Sequence, residues 1–188
     1  MTKLKFKTAF SYPFNRAKGL WYILWALLPI FGWLALYGYG IRIIKEFSKG
    51  KFKQLPIFKF SSDLNLGFFM FLKAIPFMLA YFIIYAILDF TNSWASGIIG
   101  SLISLFVFPV MLINFYNKES VSSFFEFKIL KSIFYNFWDY VIAVLKDCAL
   151  AIVFMIMIVV LVGIPAGAFT ENMFLADFYR RKIKTKRL

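Results

Sequence analysis

Residues 67–116 read GFFMFLKAIPFMLAYFIIYAILD, then FTNS, then WASGIIGSLISLFVFPVMLINFY. Each apolar run is about the length that crosses a bilayer, roughly 20 residues at 1.5 Å per residue. The turn between them carries no lysine or arginine. Backbone groups in hydrocarbon must pair within the chain, and the alternation of a barrel strand is absent, so both runs are predicted to be helices of one spanning hairpin.

Working outward, two more apolar segments flank this pair, at about 19–44 and 148–169. The chain is 62% hydrophobic, against roughly 45–50% for a soluble domain. One core in water could not hide that much apolar surface, so lipid must supply most of the solvent. The expected fold class is an all-α polytopic membrane protein, a single membrane domain over residues 1–188. Its apolar helical segments lie at about 19–44, 67–89, 94–116 and 148–169, some of them bent or re-entrant.

Residues 120–141 differ in kind. Val121, Phe124, Phe125, Ile133, Phe134, Phe137, Trp138 and Val141 recur at helical spacing, with Ser122, Glu126, Ser132, Asn136 and Asp139 opposite. Ser123 and Glu126 have the spacing of a capping box. This pattern predicts an amphipathic helix lying at the bilayer interface, or packed on other protein, with Lys128 and Lys131 at its polar boundary.

Orientation follows the lysines and arginines of short loops. They crowd the N-terminal arm (Lys3, Lys5, Lys7, Arg16, Lys18), the first connection (Arg42 to Lys59), the third (Lys118, Lys128, Lys131) and the tail from Arg180 to Arg187. The arm is expected to be retained rather than cleaved as a signal peptide. Four plain spans would place the first and third connections outside, against the charge rule. If segments one and four dip in and return, every basic loop lies inside. Candidate helix breaks exist for this: Pro29 and Gly32 in segment one, and Gly163, Pro165 and Gly167 in segment four. Pro76 and Pro109 interrupt segments two and three as well, so four full spans stay open. Both arrangements put the two termini in the cytosol of a multi-pass protein.

Chemistry finds little to work with. Histidine is absent and Cys148 is the lone cysteine, which leaves no expected metal site or cofactor. No nucleophile elbow, zinc-protease helix or phosphate loop occurs, so no catalytic residues are expected and the chain reads as a non-enzyme. Lys73, Asp89, Lys146 and Asp147 are the ionisable groups nearest the apolar segments, and such groups often mark function. Lys73 could snorkel instead, and Asp177 is expected to pair with Arg180 and Arg181.

Surfaces offer more. Ser96, Gly97, Gly100 and Ser104 form a small-residue face suited to helix packing, within the chain or between copies. Arg180, Arg181, Lys182, Lys184, Lys186 and Arg187 suggest contact with anionic lipid headgroups. The net charge of +13 attracts polyanions generally, but no stacking platform accompanies it, so specific nucleic-acid binding is not expected.

The opening Ala9-Phe10-Ser11-Tyr12-Pro13-Phe14, followed by Gly38-Tyr39-x-x-Arg42 and Leu55-Pro56, resembles an uncharacterised family of prokaryotic membrane proteins, a domain of unknown function. Phe125-Glu126-Phe127-Lys128 and Ile164-Pro165 are compatible with it. The resemblance implies a bacterial or archaeal cytoplasmic (inner) membrane and carries over no activity. The functional expectation is a small scaffold or accessory subunit that assembles as a homo-oligomer or within a larger membrane complex. A small-solute transporter or channel built on the broken helices is the alternative, and a membrane-shaping hairpin protein is a third.

Overall fold

The computed structural model describes the backbone of residues 2–90 and 94–184, and the side chains of all of these except 88–90, 94–96 and 99. The described residues are helical, with no strand among them. Three helical stretches are long and apolar enough to cross a membrane: Phe60–Ile87, Gly100–Lys118 and Phe137–Val160.

Segment one supplies none of them, because it divides. A 3-10 helix, Phe14–Leu27, follows the short α1 (Phe6–Ser11) and stops at Leu28. Pro29 cannot extend a hydrogen-bonded turn, and Ile30 takes φ 64°, a region that β-branched residues rarely enter. The chain then runs back as α2 (Phe31–Phe47). Gly32 faces the Trp25 carbonyl so closely that a Cβ there would collide with it. The Trp33 indole donates to the Ala26 carbonyl at 2.8 Å. Segment one is therefore a tight hairpin.

The central pair is α3 (Phe60–Phe90) with α4 (Trp94–Leu102) and α5 (Phe108–Lys118). Pro76 does not break α3, which continues through it; helices in lipid tolerate a missing donor where neighbours re-satisfy the freed carbonyl. Pro109 acts differently. A π-helical turn, Ile103–Val107, separates α4 from α5, so the proline falls in the first turn of α5, where its absent N–H costs little. The Tyr140 hydroxyl donates to the Phe106 carbonyl at 2.6 Å within that irregular turn.

The single amphipathic helix expected over 120–141 is not formed. A 3-10 turn (Val121–Phe125), α6 (Lys128–Tyr135) and the start of α7 (Phe137–Ile156) replace it. The capping box fails for an electrostatic reason: Glu126 is drawn to the Lys118 ammonium and the Asn114 amide, and the Ser123 hydroxyl donates to the Ser120 carbonyl instead. Within α6, Ile129 and Ile133 are buried while Phe134 and Tyr135 are exposed.

Segment four reverses as segment one does. After α7 a 3-10 turn (Met157–Val160) leads to Leu161 at φ 59°, and α8 (Gly163–Thr170) returns beside it. A Cβ at Gly163 would collide with the Phe154 carbonyl. The break thus precedes Pro165, which sits in the first turn of α8, and Gly167 lies within that helix, where an added Cβ would sit 3.6 Å from Phe154 Cβ. A last helix, α9 (Met173–Tyr179), is buried along its whole length.

Candidate functional site

Polar residues converge at the ends of these hairpins. Asp177, 2% exposed, takes hydrogen bonds from the Leu4 amide, both guanidinium groups of Arg180 and Arg181, and no solvent to speak of. Arg181 continues to Asp139 at 2.7 Å, and Lys3 joins Asp139 at 2.9 Å. Burial works against the Arg181 cation, but its hydrogen bonds to the two carboxylates outweigh that and hold its pKa above the ordinary value. Arg180 also reaches the Thr2 carbonyl and lies over the Phe52 ring. Two carboxylates thus tie the N-terminus, the start of α7 and the end of α9 together.

Part of the tail expected at lipid headgroups is paired within the protein. Arg180 and Arg181 are committed to internal carboxylates, because a buried anion without a cation is far too costly. Lys182 lies 3.9 Å from Asp139 and Lys184 is exposed; Lys186 and Arg187 lie outside the described residues. Exposed cations occur elsewhere, at Lys5, Lys7, Lys18, Lys49, Lys51 and Lys53.

A second cluster gives the Gly38-Tyr39-x-x-Arg42 motif a physical meaning. Four residues apart on a helix, Gly38 and Arg42 share one face. A Cβ at Gly38 would strike the Asp63 carbonyl, and one at Gly67 would strike that of Leu34, so α2 and α3 touch backbone to backbone. Arg42 grips the buried Asp63 carboxylate through two nitrogens at 2.9 and 2.7 Å. It also donates to the Ile57 carbonyl. The Tyr39 hydroxyl donates to the Pro56 carbonyl and Arg16 to that of Leu55. The Arg42–Asp63 pair is hard to see in a sequence, since only folding brings the two together; the Gly-x-x-x-Arg spacing was the available signal.

The apolar-segment charges have structural partners. Lys73 donates to the Glu119 carbonyl at 2.9 Å, capping α5 where Glu119 turns left-handed, and Lys45 pairs with the Glu119 carboxylate. Asp147 accepts the Phe174 and Leu175 amides at 3.0 Å each, capping α9 from a neighbouring helix. Lys146 lies 5.6 Å from the Phe174 ring centroid. Asp89 falls outside the described side chains.

The small-residue face serves the chain itself at its inner end. The Tyr85 hydroxyl donates to the Gly100 carbonyl and meets the Ser104 hydroxyl at 2.7 Å, and Tyr81 meets the same Ser104 at 2.9 Å. Gly97 faces open space, and Ser96 lies outside the described side chains.

Among the described residues several grooves open on the surface. One of about 560 Å³ runs between α7 and α8, with Asp147 and Glu171 at its polar rim. A second, about 900 Å³, lies between α3 and α5 and is almost wholly apolar. A third, about 1070 Å³, separates the tip of the first hairpin from the first turns of α3. Among the described residues no cluster of metal-ligating side chains occurs.

Comparison with curated proteins and with solved structures finds no match. Residues 22–168 match the family described as "Protein of unknown function (DUF4013)". That stretch contains the α2–α3 junction, the central helix pair and both chain reversals, and the protein belongs to the DUF4013 family.

Proposed function

We propose that the protein is a non-enzymatic structural component of the membrane that shapes the bilayer by filling one leaflet more than the other. The observation that carries this is the character of the hairpin tips. Leu24 to Trp33 and Met155 to Ile164 contain no charged residue. At the tips Leu27 is 80% exposed and Val159 89%. Tips like these belong in hydrocarbon, not in the water beyond it. The sequence between the apolar runs of the central pair, by contrast, is Phe90-Thr-Asn-Ser93, preceded by Asp89.

Depth agrees. From Arg42, held in its ion pair, to the Ile30 tip is 12 residues, about 18 Å of helix. From Asp147 to Leu161 is 14 residues, about 21 Å. The hydrocarbon core is roughly 30 Å thick. From Asp63 to Phe90 the rise is about 40 Å, enough to cross. Both hairpins also close on themselves at these depths: Tyr12 packs on Phe47 with ring centroids 5.0 Å apart, and Asp147 accepts the Phe174 and Leu175 amides just past the returning α8.

In this reading one hairpin spans, two enter and return, and the basic surface faces the cytosol of a bacterial or archaeal cell. Extra helix cross-section on the cytosolic side favours curvature. Reconstitution at increasing protein-to-lipid ratio, imaged by cryo-electron microscopy, is expected to give smaller vesicles or tubules. An unchanged size distribution at the highest ratio would sink the proposal. A self-assembling scaffold is the second reading, favoured by the uncovered Gly97 and exposed Ser101 on α4. It predicts a defined oligomer in detergent that Gly97→Leu dissociates; a monomer in cross-linking and light scattering would count against it.

A further inference from the structure

The groove between the first hairpin tip and α3 is graded from polar to apolar. Ser61, Asn65 and Phe68 line it at helical spacing, so one face of α3 passes from hydroxyl and amide to phenyl over about 10 Å. Lys59 and Ser62 stand at the polar end. Ile30, Phe31 and Leu34 of the hairpin continue the apolar end. Among the described residues the Lys59 ammonium has no carboxylate partner and the side chains of Ser61, Ser62 and Asn65 make no hydrogen bond. The nearest acid, Asp63, is already neutralised by both nitrogens of Arg42. One uncompensated cation and three unused polar groups therefore sit above an apolar cleft.

We propose that this groove is a binding site for one phospholipid with an anionic headgroup, its phosphate at Lys59, Ser61, Ser62 and Asn65 and an acyl chain along Phe31, Leu34 and Phe68. Charge complementarity selects the head, and the apolar wall selects a chain-bearing ligand over a free anion. The volume, about 1070 Å³, is at the upper end of ligand cavities, which run roughly 300–1,000 Å³. The site requires only that the groove open onto the bilayer, so it stands whether or not the protein bends membranes.

The test uses the full chain, delipidated in detergent and titrated with phosphatidylglycerol or phosphatidylcholine under native mass spectrometry. The wild type is expected to hold one phosphatidylglycerol more tightly than phosphatidylcholine. Lys59→Gln should weaken the anionic lipid about fivefold, the effect of one cation near a headgroup, and leave phosphatidylcholine unchanged. Phe68→Ser should weaken both lipids, while Lys53→Gln, an exposed lysine outside the groove, should weaken neither. Equal binding of the two lipids by the wild type overturns the proposal. So does equal weakening by Lys53→Gln, which means diffuse attraction only, or full displacement by inorganic phosphate at millimolar concentration, which means an ion site without a chain.

Discussion

Asp177 and Arg42 show how few charges this chain spares for its interior and how completely it binds them. Asp177 accepts from one backbone amide and two arginines. Asp177→Ala takes one carboxylate from Arg180 and Arg181 and the acceptor from the Leu4 amide, and breaking one partner of a buried pair costs about 3–5 kcal/mol. A matching loss of stability is expected in detergent denaturation, with the N-terminal arm becoming protease-sensitive first. The pairing of Asp177 with arginines three and four residues on was legible in the sequence, because a helix dictates it. The pairing of Arg181 with Asp139, 42 residues away, was not, since it depends on where two helices end.

At the scale of elements, glycines mark where backbones meet. Gly38→Ala or Gly67→Ala places a methyl against a carbonyl oxygen and should destabilise by at least about 1–3 kcal/mol, the usual cost of overpacking. Gly40, on the same helix, has open space around its would-be Cβ. Gly40→Ala should therefore be neutral or stabilising by up to about 1 kcal/mol. Thermal melts of the three variants decide this: equal effects would mean that helix propensity, not close approach, governs. The hairpin tips have their own test. A charge deep in a bilayer costs about 2.5–3.5 kcal/mol on insertion scales, so Val159→Asp should depress membrane insertion and yield. Thr91→Asp, in the polar sequence that joins the two central apolar runs, should be tolerated. The prolines illustrate the limit of sequence reading at this scale. Pro29 falls at a reversal, Pro76 inside an unbroken helix, Pro109 after a π-helical turn and Pro165 at a helix start. Proline says that a donor is missing; the surroundings decide whether the helix stops.

For the whole molecule, topology is the prediction that matters. Cysteine introduced at Lys51 should be labelled by a membrane-impermeant thiol reagent only from the side that carries the C-terminal tail, in Cys148→Ala background. Labelling at Lys51 and the tail from opposite sides would replace the shallow hairpins with full spans. The sequence by itself determined the solvent, the helical class and the central pair, because composition and run length answer directly to hydrocarbon thickness. Proline and glycine marked candidate breaks near the reversals at Ile30 and Leu161, but equally at Pro76, where the helix continues. Tertiary structure alone decided that residues 120–141 divide into separate helices, that the Gly-Tyr-x-x-Arg motif is a helix junction, and that two tail arginines face inward. Two of those outcomes turn on long-range contacts, Arg42 with Asp63 and Arg181 with Asp139, and the other accompanies the contact of Glu126 with Lys118 eight residues back. A buried carboxylate must find a cation wherever the fold can bring one, and no local pattern in the chain records which partner it will find.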